Sequence, residues 1–213
     1  GSLFYNNFDD FIESDNLIRE ATGSHLNNDP NYPFVYDSAP IYQPINVGKV
    51  KTYGFELSGL LNIEKFNSEF SDYTISASLG KTLGINKNKN EWINNTDPLK
   101  YVLSIEKFSF KNKIYRQKLS ISGTDEKRNF SNEFINIPDK YKKGHFIIDY
   151  SATCKINDHF DLVFGINNIL NETYYKWSTV RRAVGHSSES NPVLNERLTE
   201  PGRNFFVSAT TNF

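Results

Sequence analysis

Along most of the chain, apolar and polar residues alternate with a period of two, the pattern of strands with one greasy face and one wet face. The last stretch shows it plainly. Phe205, Val207, Ala209, Thr211 and Phe213 fall on one side, with Asn204, Phe206, Ser208, Thr210 and Asn212 on the other. Tyr53, Phe55, Leu57, Leu61 and Ile63 likewise oppose Thr52, Gly54, Glu56, Ser58 and Asn62, and Tyr73, Ile75, Ala77 and Leu79 oppose Thr74, Ser76, Ser78 and Gly80. The pattern recurs at 101–106, 115–122, 145–154 and 160–167, while residues 2–13 are aromatic-rich and extended without a clean apolar face. Together these predict about eight strands, all antiparallel because no connection carries a helical crossover pattern.

The connections alternate in length. Long polar loops are expected at about 14–43, 86–98, 125–143 and 178–200, and short turns near 67, 112 and 157. A soluble sandwich has no reason to sort its loops by side, whereas a transmembrane β-barrel has short turns at one end and long loops at the other. The expected fold is therefore all-β, an antiparallel transmembrane β-barrel. Tyr174, Tyr175 and Trp177, with Tyr53, Tyr73, Tyr101 and Tyr115 near strand ends, suit the two membrane interfaces. Ordinary enrichment of aromatics in sheets accounts for any single one of them equally well.

Composition narrows the class. No apolar run in the 213 residues approaches the roughly 20 that a membrane helix needs. A formal charge of −1, with both signs interspersed, gives no basic stripe for nucleic acid. The lone cysteine, Cys154, forms no intrachain disulfide and reads as a small apolar strand residue. With no methionine and no signal peptide, the chain reads as a piece of a longer precursor, although Gly1-Ser2 could be a cloning scar.

No catalytic constellation is found, and the chain is expected not to be an enzyme. Gly80-Lys81-Thr82 imitates the end of a phosphate loop, but Ile75 stands where its first glycine is required. His25, His145, His159 and His186 lack metal-ligand spacing, and no nucleophile elbow is present.

Specific motifs carry a resemblance. They are Gly165-x-Asn167-Asn168-x-Leu170-Asn171, Tyr175-x-Trp177-x-x-Val180-Arg181, Pro201-Gly202-Arg203-Asn204 and the terminal Phe213. Upstream stand Phe8-Asp9-Asp10-Phe11-Ile12 and Asn46-Val47-Gly48-x-Val50-x-x-Tyr53-Gly54-x-Glu56-Leu57-Ser58-Gly59. In order and spacing the chain resembles the carboxy-terminal part of TonB-dependent outer-membrane receptors, within them the hemoglobin, transferrin and lactoferrin receptor branch. The resemblance implies a barrel of about 22 strands around an amino-terminal plug that is missing from this chain. It further implies placement in the outer membrane among its lipids, the TonB complex as partner through the missing part, and a host carrier protein as source of the ligand. Heme or iron would be transported cargo rather than a cofactor, and hemoglobin-type ligands rank above transferrin-type because the loops are short for a large two-lobed carrier.

On that resemblance the long loops would meet the ligand. In the first, His25, Tyr32, Tyr36 and Tyr42 combine an aromatic face with a polar tip and could stack on a porphyrin or fill a partner's pocket. His186, in the loop opening at Arg181, is the first choice for an axial heme contact; the plain alternative is a solvated histidine. Glu56, Arg116, Lys118, Asp149 and Asp161 point to the polar side, either toward the plug or into a water-filled lumen. The competing reading is a small self-closed barrel with a structural or adhesion role.

Overall fold

The computed structural model describes residues 1–22, 38–66, 68–109, 114–132, 135–157, 159–185 and 198–211. Its elements in chain order are β1 (Ser2–Thr22), β2 (Ser38–Asn62), β3 (Tyr73–Asn86), the two-residue β4 (Glu91–Trp92), β5 (Lys100–Phe108), β6 (Ile114–Thr124), β7 (His145–Asn157), β8 (Phe160–Asn167), α1 (Trp177–Gly185) and β9 (Asn204–Thr211). All strands belong to one antiparallel sheet, in the order β1-β2-β3-β5-β6-β7-β8-β9, with β4 paired to β3.

The register confirms the alternation. Directly opposed residues share a face. Leu57 opposes Leu79, Leu103 opposes Ile121 and also Ala77, and Phe164 opposes Val207, so the apolar positions form one continuous surface. On the other face Ser58 opposes Ser78, Ser78 opposes Val102, and Ser76 and Ser104 share a hydrogen bond of 2.7 Å.

Closure of that sheet does not occur, which corrects the expected transmembrane barrel. β1 pairs with β2 and β9 with β8, but the two outer strands do not pair with each other, so the sheet is open. A period-two pattern says which side chains share a face; it does not say whether the two edges meet, and closure depends on that meeting. The same finding removes the expected localisation as a multi-pass barrel, because an open edge presents N–H and C=O groups that hydrocarbon cannot satisfy. No described helix is long and apolar enough to cross a membrane.

Two connections differ from expectation. Residues 14–22 and 38–43, expected within one long loop, continue the pairing of β1 and β2 up to Thr22 opposite Ser38. β3 reaches only as far as Asn86, opposite Val50, so among the described strands β2 beyond that point pairs with β1 alone. An edge of this kind tolerates Pro40 and Pro44. The loop expected at 178–200 contains α1, whose Trp177 and Val180 lie three residues apart and are both buried.

The core is not under the sheet. Leu57, Leu103 and Leu119 are 49 %, 47 % and 41 % exposed, so among the described residues no layer packs on the apolar face. Burial is gathered where the long connections meet. Ile137, Tyr141, Trp177 and Val180 form one cluster there, with Phe130 and Tyr175 against it, and Val47, Val50 and Ile93 form a second with Phe11.

Candidate functional site at the long-connection end of the polar face

Three connections are tied together by polar bonds around Trp177. Its indole Nε1 donates to the Asn94 carbonyl at 2.8 Å. The Asn94 side chain donates to Ser131 Oγ at 2.8 Å and accepts from the Ser131 amide at 2.9 Å, which satisfies both ends of a buried amide. Lys127, 3 % exposed, donates to the Thr96 carbonyl at 2.5 Å and lies 3.2 Å from Thr96 Oγ1, with its ammonium 5.1 Å from the centre of the Trp177 ring. Burial pushes the Lys127 ammonium down to about 8 from the usual 10.5, an effect that the carboxylate of Asp97 partly offsets.

Below this knot, cavities of about 750 and 300 Å³ flank the segment 95–98. Asp97 and Pro98 line both; Glu56, Ser58 and Ser78 line the larger, and His145, Tyr174 and Lys176 the smaller. The His145 ring stacks on Tyr174 with centroids 4.2 Å apart, and its Nδ1 is 3.3 Å from Thr124 Oγ1. Lys176 donates to Glu200 at 2.7 Å, and that hydrogen bond holds the ammonium above the ordinary lysine range. Burial pushes the Tyr174 phenol up, so it stays protonated and offers a donor rather than an anion. Both walls thus combine aromatic surface with ion-paired lysines, since Lys100 pairs with Asp97 in the same way.

The asparagine motifs have a structural use. Asn168 and Asn171 take positive φ values of 52° and 56°, a region that asparagine tolerates better than most residues. Asn168 is 2 % exposed; its side chain donates to the Glu172 carbonyl at 2.8 Å and the Pro201 carbonyl at 3.4 Å, and accepts from the Glu172 amide at 2.8 Å. Asn171 Oδ1 accepts from the Arg203 amide at 2.8 Å, and Asn167 donates to Asn204 at 2.9 Å. The Gly165–Asn171 and Pro201–Asn204 motifs therefore stitch the start and end of one long connection to each other.

Of the residues expected to be functional, Glu56, Lys118, Asp149 and Asp161 share the polar face by register, through Glu56 opposite Gly80, Lys118 opposite Ser151, Asp149 opposite Ser120 and Asp161 opposite Lys155. Arg116 holds Glu106 with two bonds of 2.8 and 3.1 Å near the short-turn end of that face. Asp149 Oδ1 accepts from the Asn168 amide at 2.8 Å. Arg181 lies half-buried in α1, and Tyr42 lies in β2 with its backbone opposite Leu17. His25, Tyr32, Tyr36 and His186 lie outside the described residues, so no pocket is assembled around them here. Among the described residues no group of three or more His, Cys, Asp or Glu could hold a metal. Lys127, Asn94, His145 and Tyr174 were missed as site residues. A lysine in a polar loop looks like any solvated lysine until the loop folds over it.

Comparison with known proteins bears on the whole chain. The family model described as "TonB dependent receptor-like, beta-barrel" matches residues 1–169. Transferrin-binding protein A of Neisseria meningitidis serogroup B is 34 % identical over 70 residues, 32 % of this chain and 8 % of that protein. Its counterpart in Neisseria gonorrhoeae is 31 % identical over 70 residues, again 32 % and 8 %. Among solved structures, the copper transporter OprC superposes with a TM-score of 0.68 at 14 % identity, covering 99 % of this chain and 27 % of that one. A ferric enterobactin receptor (PfeA) mutant from Pseudomonas aeruginosa superposes with a TM-score of 0.61 at 16 % identity, covering 99 % and 28 %. At such identities the structures speak for the fold alone. The chain spans about a quarter of the length of these structures and less than a tenth of the curated relatives.

Proposed function

Because this chain belongs to the TonB-dependent receptor β-barrel family, whose members are transport proteins rather than enzymes, we propose that it is part of a receptor importing iron from a host carrier protein. Cargo would arrive as heme or as iron itself, with the TonB complex supplying the force through parts of the receptor outside this chain. The observation that carries this reading is the family match over residues 1–169, in a chain that has cavities of about 750 and 300 Å³ beside its long connections. Between carriers, the similarity to proteins named for transferrin binding favours a transferrin-type source over a hemoglobin-type one, against the ranking drawn from loop length.

In this reading His186, Arg181, His25, Tyr32, Tyr36 and Tyr42 meet the ligand or its carrier, and Glu56, Arg116, Lys118, Asp149 and Asp161 face the plug. A pull-down with the complete receptor and labelled transferrin, hemoglobin or free heme tests it. Retention of transferrin is expected; retention of none of the three, with growth on each iron source unaffected by deletion of the receptor, would sink it. His186→Ala should weaken heme transfer if heme is the cargo, and unchanged transfer removes His186 from the site.

A further inference from the structure

Lysines interrupt the apolar face where β1, β2 and β3 run side by side. Tyr5 opposes Tyr53, Tyr53 opposes Leu83, Phe55 opposes Lys81 and Lys51 opposes Ile85, so by strand alternation these side chains share one face. A cavity of about 500 Å³ opens among them, lined by Tyr5, Tyr53, Phe55, Leu83 and Lys81. Lys51 Nζ lies 5.6 Å from the centre of the Tyr5 ring, so it leans toward the same opening.

No carboxylate answers these ammonium groups. Among the described residues Lys51, Lys81 and Lys87 form no ion pair, and Lys49, two residues along β2, is already taken by Asp9 at 3.9 Å. The charges that act on the Tyr5 phenol are those of Lys51 and Lys87, both positive. A lysine that served only solubility would need no cavity, yet Lys81 is half-buried among apolar side chains. Beside it the apolar surface continues through Leu3, which opposes Phe55, and through the opposed pair Leu57 and Leu79, all three exposed.

We propose that this corner binds an anionic phospholipid, with its phosphate between Lys51 and Lys81, its ester region against the tyrosine rings and its acyl chains along Leu3, Leu57 and Leu79. From the register, with Lys51 opposite Ile85 and Lys81 opposite Phe55, the two lysines stand roughly 13 Å apart along the strands, a separation that two side chains leaning inward close around one phosphate group. Tyrosine supplies an apolar ring with a polar tip at the border between headgroup and chain. A free anion would use the lysines and leave the leucine stripe bare; a lipid uses both. The site lies on the opposite face from Glu56, Ser58 and Ser78, which line the largest cavity, so it is separate from any passage for cargo.

Native mass spectrometry of the complete receptor in a neutral detergent tests this, with phosphatidylglycerol and phosphatidylcholine of identical chains as probes. Phosphatidylglycerol should be retained in preference. Lys51→Gln and Lys81→Gln should each weaken it about fivefold without changing phosphatidylcholine, whereas Lys51→Arg, Lys81→Arg and, at the short turn after β2, Lys65→Gln should bind as the wild type does. Should a glutamine variant fail to fold, the wild type decides by salt, which should weaken phosphatidylglycerol alone. Equal retention of the two lipids, phosphatidylglycerol affinity unchanged in the folded double glutamine variant, or an equal loss in Lys65→Gln overturns the site. Displacement by inorganic phosphate at the lipid's own concentration would make it a free-anion site and overturn the lipid. Because the readout is lipid retention, it stands or fails apart from the cargo and carrier of the receptor.

Discussion

The two ends of the polar face are built on opposite terms. At the short-turn end, Arg116 grips Glu106 with two hydrogen bonds and lies over Phe108 at 5.5 Å, yet the arginine side chain is 49 % exposed. At the long-connection end, Trp177, Asn94, Ser131 and Lys127 are all below 9 % exposed, the first three are hydrogen-bonded to one another, and Lys127 is bonded to Thr96. The contrast shows where sequence is spent on shape. Turns at one end only need to reverse the chain, while the connections at the other must fold against each other to shape cavities.

Trp177→Ala should break this contrast most strongly. Removing a buried indole from among Ile137, Tyr141 and Val180 also leaves the Asn94 carbonyl without its donor, a combined loss of about 3–5 kcal/mol. The expected result is increased exchange in residues 93–99, 125–132 and 135–144 together, with the β6–β7 ladder still protected. Changes confined to α1 would mean that the three connections fold independently.

Next in size is Asn168→Ala. Its side chain makes three bonds in a nearly solvent-free position, and its backbone sits at φ 52°, which alanine adopts less readily. Loss of the stitch should cost about 2–3 kcal/mol, seen as exchange at Glu172 and around Pro201. Asn168→Gly, which relieves the backbone but not the bonds, separates the two causes: a similar loss assigns the effect to hydrogen bonding.

How much of this was readable beforehand differs by region for physical reasons. Side chains on a strand alternate by geometry, so Leu57, Leu79 and Leu103 could be assigned to one face without knowing any neighbour, and the sheet register agrees. Closure was not readable, because it depends on what lies beside β1 and β9 rather than on anything within a strand. The extension of β2 through Pro40 and Pro44 was not readable for a related reason: proline excludes a central strand but not an edge, and edge status is a property of the whole sheet. The site divides in the same way. The asparagine motifs were visible and proved to be stitches, whereas Lys127, Asn94 and the His145–Tyr174 stack come from separate connections that only the fold brings together.

The smallest effect sharpens the comparison from the other side. Arg116→Ala removes a bidentate pair and a contact with the Phe108 ring, which on a bonds-per-residue count should rival the loss at Asn168. Solvent argues otherwise. The guanidinium that is removed is already half in water, and the Glu106 carboxylate left behind, though 15 % exposed, has Lys118 directly opposite on β6. The expected loss is below about 1 kcal/mol, with exchange in β5 and β6 nearly unchanged and a weak dependence on salt. A loss as large as that of Asn168→Ala would mean that the short-turn end is dry in the assembled receptor, covered by something outside this chain, and that exposure in the isolated sheet misjudges it.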